Sequence, residues 1–218
     1  ACDLARFEVE KPAHLVEVSS FWLDRTEVTN AAYRECITAH ACRWPAPRAW
    51  HRGRRLPVTG VSWDDARTYC HFRGKRLPTE AEFERAARGP DGALHLWGDA
   101  PADCDKAVIM DETGRGCGTP KRGSHPEKGR PLDVGSRPAI DGFTDLVGNA
   151  EEWVADWYLP YAECGEDCLG TDPRGPCAGA DTCAYRGGPQ YLVELAIPHE
   201  KPRQGADTGS DGRVSLGV

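Results

Sequence analysis

Sulfur carries most of the reactive potential in this sequence. Ten cysteines fall within 218 residues. Several lie close along the chain: Cys36 with Cys42, Cys104 with Cys117, Cys164 with Cys168 and Cys177 with Cys183, which leaves Cys2 and Cys70. Thiols serve as nucleophiles, metal ligands or cross-links, and the redox compartment decides among these roles. A zinc site built from Cys164, Cys168, Cys177 and Cys183 is one alternative, but structural zinc favours two tightly spaced pairs, and Cys177 and Cys183 are too widely separated. An even, high count fits disulfides in an oxidising compartment better. An extracytoplasmic location is therefore expected, whether secreted, periplasmic or at the cell surface. The sequence leaves the connectivity of the cysteines open.

Other chemistries find less support. The seven histidines, at 14, 40, 51, 71, 95, 125 and 199, include no pair four apart on a helix, and no Ser-His-Asp arrangement is recognisable. Gly205, Gly209 and Gly212 lack the strand-to-helix setting of a phosphate loop. The formal net charge is -7, and the basic run from Arg48 to Arg55 is a lone cluster without a recognisable nucleic-acid module, so nucleic acid is not an expected partner. No apolar run is long enough to span a membrane. The length suits one domain over 1–218. The abrupt start at Ala1-Cys2-Asp3 and the strand-like end at Ser215-Leu216-Gly217-Val218 suggest a fragment of a longer protein.

The elements that would position these residues are short. Gly (24) and Pro (17) are abundant and hydrophobic residues make up 39% of the chain, which points to a loop-rich fold rather than a helical bundle. Apolar alternation over His14–Val18, followed by Phe21-Trp22-Leu23, predicts an early strand or hairpin. Thr29 is placed to cap a helix over Asn30–Thr38. Ser62, with Asp65 three residues on, predicts a capped helix that exits at Gly74. Thr79 with Glu82 predicts a second, ending near Gly89. Arg76-Leu77-Pro78 between them is too rigid for helix. Residues 39–60 and 98–140 read as loops, the latter long enough to need stapling or a function.

Four stretches, in order, carry a resemblance to a known family. They are Asp24–Tyr33; Pro57–Ala66 with Tyr69-Cys70 and Arg76–Glu84; Gly142-Phe143-Thr144-Asp145-Leu146-Val147-Gly148-Asn149-Ala150-Glu151-Glu152-Trp153 with Asp156-Trp157; and Arg186-Gly187-Gly188. Together they resemble the formylglycine-generating-enzyme, or sulfatase-modifying-factor, family over nearly the whole chain. The resemblance implies an α+β, irregular, C-type-lectin-like fold with small antiparallel sheets, few short helices and long ordered loops.

The family's enzymes oxidise a sulfatase cysteine to formylglycine with two copper(I)-binding cysteines a few residues beyond the fourth motif, where soft thiolates suit copper(I). Here Gly188 is followed by Pro189, and no cysteine occurs after Cys183. Hydrocarbon near Leu192 and Ile197 stands where the thiolates would be, so catalytic residues are not assigned and copper is not expected. Iron-dependent sulfoxide synthases share the scaffold, but their histidine–carboxylate clusters have no counterpart in these scattered histidines.

The resemblance also implies structural calcium. Residue by residue, it assigns the side chains of Asp145 and Glu152 and the carbonyls of Gly148 and Ala150, oxygen donors that suit a hard cation. Asp145 stands where the family usually has asparagine. A second family site falls at Val108 and Ile109, which supply no side-chain ligand; Asp111 or Asp133 would have to compensate. Trp63, Trp97, Trp153 and Trp157 are expected to be core anchors. The expected function is a non-catalytic binding or structural module held rigid by calcium and disulfides, presenting a surface near residues 186–214 to a protein, glycan or envelope partner. Bacterial relatives of this kind are often joined to other modules. The competing expectation is a metal-dependent oxidase on the same scaffold.

Overall fold

The structure is a computed structural model that describes residues 11–46, 53–109, 117 and 131–175, together with the backbone of 190–193 and 214–215. Cys2, Cys177, Cys183, Asp111, Arg186-Gly187-Gly188 and most of the 186–214 surface lie outside the described residues.

The three main helices form where local signals placed them. Helix α1 spans Asn30–Thr38, and the Thr29 hydroxyl accepts from the Ala32 amide. Helix α2 spans Trp63–Phe72 behind a reciprocal capping box between Ser62 and Asp65. Helix α3 spans Glu80–Arg88, where Thr79 and Glu82 make a second box. Each box satisfies two amides that the first helical turn leaves without partners. Arg76, in the bend between α2 and α3, grips Glu82 through both carboxylate oxygens at 2.6 and 2.7 Å.

One core cluster gathers Val28, Tyr33, Cys36, Val58, Val61, Ala66, Tyr69, Cys70 and Leu77, with Trp63 and Trp153 packed against it. Tyr33 stacks on Tyr69 with ring centroids 5.3 Å apart, joining α1 to α2. Strand β2, Glu151–Trp157, follows the Gly148 turn and is fastened to the helices. Trp63 Nε1 donates to Val154 O (2.7 Å), Trp153 Nε1 to Val61 O (3.1 Å) and the Ala155 amide to Pro78 O (2.7 Å). Trp63, Trp97, Trp153 and Trp157 are all half-buried. Trp63 and Trp153 pack against this cluster with their indole N–H groups satisfied by carbonyls, Trp97 packs against a second cluster around Ala107, Val108 and Ile109, and Trp157 lies against Trp63 with ring centroids 6.3 Å apart.

Sheet structure departs from the expected antiparallel pattern. The early strand β1 is only Val16–Glu17. Instead of forming a hairpin, it pairs in parallel with β3, Gly170–Thr171. Strand β2 lies between β4 (Gln190–Val193), antiparallel to it, and β5 (Val214–Ser215), parallel to it. Strands joined through long stretches of chain are not bound by the antiparallel geometry that a tight hairpin imposes. Between β2 and β3 lie a short helix α4, Tyr161–Cys164, and a 3-10 turn, Gly165–Cys168.

Among the described residues, three disulfides pair neighbours: Cys36–Cys42, Cys104–Cys117 and Cys164–Cys168. The second staples the long loop, whose described residues contain no helix or strand. Two of the four thiols that the zinc alternative required are thus bonded to each other. Cys70 is a buried free thiol, and burial pushes its pKa up to about 12. Among the described residues, no helix is long and apolar enough to cross a membrane.

Candidate functional site

The turn leading into β2 is built from residues in left-handed backbone: Asp145 (φ 61), Gly148 (φ 81) and Asn149 (φ 64). Aspartate, asparagine and glycine tolerate this region best, which explains why these residue types recur here. At Gly148 the requirement is absolute, since an added Cβ would stand 2.5 Å from the Val108 carbonyl oxygen. That carbonyl accepts from the Asn149 amide at 2.8 Å, and the Ala150 amide turns back to the Gly148 carbonyl at 2.9 Å.

Asn149 is the hub of the turn. Its Oδ1 accepts from the Leu132 amide at 2.8 Å, and its Nδ2 donates to Glu27 Oε2 at 2.6 Å. Asp145 is buried, and its Oδ2 accepts from the Gly135 amide at 2.6 Å. Asp145 Oδ1 is buried with no hydrogen-bond partner. The Thr144 hydroxyl favours the charged form of this carboxylate, and it too is buried without a partner.

Burial pushes the pKa of Asp145 up against the pull of the Gly135 amide. Glu152 faces inward at the start of β2, and its pKa is driven well up, first by burial and then by the negative charges of Glu27, Asp145 and Glu151. The structure therefore brings the predicted carboxylates of Asp145 and Glu152 into one electrostatic neighbourhood, at the turn that carries the carbonyls of Gly148 and Ala150. A buried carboxylate oxygen with nothing to bind is costly. A cation held by these oxygens would remove that cost, so the residues present fit a hard ion. Among the described residues, no three His, Cys, Asp or Glu side chains converge as a metal centre by themselves. Backbone carbonyls would have to complete the donor set, as they commonly do for calcium.

The second expected cation position is filled by hydrocarbon. Val108 and Ile109 are buried beside Cys117 and Val147, and Asp133 is engaged with Arg55 at 3.3 Å. In the segment where reactive thiolates would lie, Leu192 sits opposite Trp153 in the β2–β4 register. A cleft of about 560 Å³ opens elsewhere, between residues 19–24, 75–82 and 172–174. Its charges largely pair among themselves, Lys75 with Asp24 and Arg76 with Glu82.

Sequence reasoning missed three contributors. Glu27 lies within the first family motif, where nothing local signals its contact with Asn149. The Asn149 side chain bonds beyond the turn that its residue type alone marks. Asp156, buried at the far end of β2, accepts from the Glu80 amide at 2.7 Å and so caps α3 from outside. The one local signal for Asp156 is its period-two spacing from Glu152 and Val154.

The family description "Sulfatase-modifying factor enzyme 1-like domain" matches residues 2–213. The chain belongs to the sulfatase-modifying-factor family. It is 32% identical over 235 residues to the formylglycine-generating enzyme of Streptomyces coelicolor, covering 84% of this chain and 71% of that enzyme. It is equally 32% identical over 203 residues to the inactive C-alpha-formylglycine-generating enzyme 2 of Mus musculus, covering 71% of this chain and 64% of that protein. It thus spans under two thirds of the mouse protein. Variable protein 1 of Treponema denticola superposes with a TM-score of 0.51 at 19% identity, over 75% of this chain and 71% of that one, a likeness of fold alone. This branch of the sulfatase-modifying-factor family therefore includes proteins named as enzymes and proteins named as inactive.

Proposed function

We propose that this chain is a non-catalytic binding or structural module of an extracytoplasmic protein or envelope assembly, on a C-type-lectin-like form of the family fold, stabilised by disulfides and calcium. The observation that carries the reading is the absence of any cysteine after Cys183. Copper(I) chemistry of the family type needs soft sulfur ligands beyond Gly188, and this sequence offers Leu192 and Ile197 there. The inactive mouse relative supports the view that the scaffold persists without that chemistry. Calcium is supported by the lone Asp145 Oδ1 and the oxygen donors of Asp145, Glu152, Gly148 and Ala150. The partner belongs to the protein or glycan class, and fold alone does not name it.

The second reading, a copper-dependent oxidase, draws on the 32% identity to the Streptomyces enzyme. Aerobic incubation with copper and a peptide bearing a sulfatase-type cysteine separates the two. The module reading expects an unchanged peptide mass. A loss of about eighteen mass units from the cysteine, the change from thiol to aldehyde, would establish the oxidase. For calcium, the expected result is a melting temperature that rises with added ion and falls with chelator, because a ligand that binds only the folded state stabilises it. Identical melting curves would remove calcium from the reading.

A further inference from the structure

The cleft between residues 19–24, 75–82 and 172–174 has a volume of about 560 Å³, within the range of about 300–1,000 Å³ usual for small-molecule sites. Trp22 stands on its wall, wholly exposed, while Phe21 and Leu23 on either side are half-buried. Its indole is left uncovered, although tryptophan carries one of the largest apolar faces a protein can bury. The backbone around it is nonetheless fixed. The Ser19 amide donates to Asp172 Oδ1 at 2.7 Å, Lys75 grips both oxygens of Asp24 at 2.5 and 2.6 Å, and the Thr144 amide donates to Arg25 O at 2.9 Å. Tryptophan adds only two rotatable bonds to a backbone held this way, so covering it costs little further ordering.

The charges of the lining decide which ligand suits the cleft. Asp24, Glu82 and Asp172 set three carboxylates against the three cations of Lys75, Arg76 and Arg174. Two pairs are direct, Lys75 with Asp24 at 2.5 Å and Arg76 with Glu82 at 2.6 Å. The Asp172 carboxyl is held below its usual range first by its bonds to Ser19, with Arg174 and Arg76 adding to the effect. In a chain of net charge -7, this cleft is locally neutral. A charged ligand gains no net Coulomb attraction there and would have to break an existing pair. A ligand rich in uncharged hydroxyls faces no such cost, because paired carboxylates keep lone pairs that accept from O–H groups, and the cations keep N–H groups to donate. The negative face of the indole suits the C–H face of a ring. We propose that this cleft binds a neutral oligosaccharide, with Trp22 as the stacking platform and the charged pairs of the lining as hydroxyl partners. The proposal rests on the binding-module reading given above and names the class of its partner.

The full chain is titrated by calorimetry with neutral gluco-, manno- and galacto-oligosaccharides and chitotetraose, and with an oligouronate and a sulfated oligosaccharide of matched length. At least one neutral sugar should bind. Its affinity should hold within about twofold from about 0.05 M to about 0.5 M salt, since no net charge is involved. Trp22→Ala should weaken binding by about tenfold or more at an unchanged melting temperature, because Trp22 lies outside the packed core. Trp22→Phe should restore part of the loss. Binding confined to the charged sugars and lost in salt would overturn the proposal. So would an affinity indifferent to Trp22→Ala, or no binding by any neutral sugar of the set. Each of these results leaves the module reading standing, with a protein as its partner. Conversion of the cysteine peptide in the copper assay would instead strike the module reading, while the sugar titration still decides what the cleft binds.

Discussion

The Asn149 side chain donates to Glu27 at 2.6 Å across 122 residues of sequence, while its own oxygen accepts from the Leu132 amide at 2.8 Å. One amide group thus joins three segments that have no local reason to meet. Asn149→Ala removes both bonds, leaves the buried Glu27 carboxylate short of a donor, and puts a Cβ-bearing residue without a local polar group in left-handed backbone. Lost hydrogen bonds to a charged group and the backbone penalty together amount to about 3 kcal/mol of stability. Urea unfolding checks this, and a loss below about 1 kcal/mol would show that the segments are held by other means.

Asp156 carries a pH dependence of unusual sign for an acid. Burial is the largest influence on it and outweighs the Glu80 amide, raising its pKa from 3.8 to about 6. The folded state therefore binds the proton more tightly than the unfolded state. The resulting stability is fully present below about pH 4 and is lost as pH rises through about 6. Asp156→Asn keeps an acceptor for Glu80 and stays neutral. Its stability relative to wild type should improve by about 2–3 kcal/mol between pH 4 and pH 8. Parallel denaturation curves at the two pH values would show whether the difference is flat, which would contradict the assignment.

Glu82 behaves oppositely. Burial, its largest influence, raises its pKa, but the combined pull of the Arg76 guanidinium and the Thr79 amide overcomes this and holds it below its ordinary value of 4.5. Its contribution is present above that value and is lost as pH falls below it. Glu82→Gln should cost about 2 kcal/mol at neutral pH, since it weakens charge-assisted bonds to Arg76. The cost should shrink in acid, where wild type loses the same interaction. Thermal melts from pH 7 to pH 3 provide the comparison.

The helices were legible because their signals are local. Ser62 with Asp65 and Thr79 with Glu82 close their boxes within four residues, so nothing distant has to be known. Strand β2 was harder to read. Its inward face alternates Glu152, Val154 and Asp156, which reverses the usual apolar-in pattern at two of three positions. Its sheet partners lie in residues 190–193 and 214–215. The Asp145–Glu152 turn could be found from its motif. Glu27 could not be assigned to it, because its role arises from a contact whose partner lies far along the chain. The parallel pairing of β1 was hidden for the same reason.

That pairing bears on how the chain is made. The Ser19 amide is held by the Asp172 carboxylate at 2.7 Å, and the Asp172 amide returns to Glu17 O at 2.8 Å, a closure spanning 153 residues. Residues near 17 therefore remain without these partners on the ribosome until translation has passed residue 172. Closing so long a loop is entropically expensive and slow compared with forming the capped helices between its ends. During synthesis, α1, α2 and α3 have time to assemble while this outer seam is still open, and the seam is the place where a nascent-chain chaperone would find exposed backbone to hold.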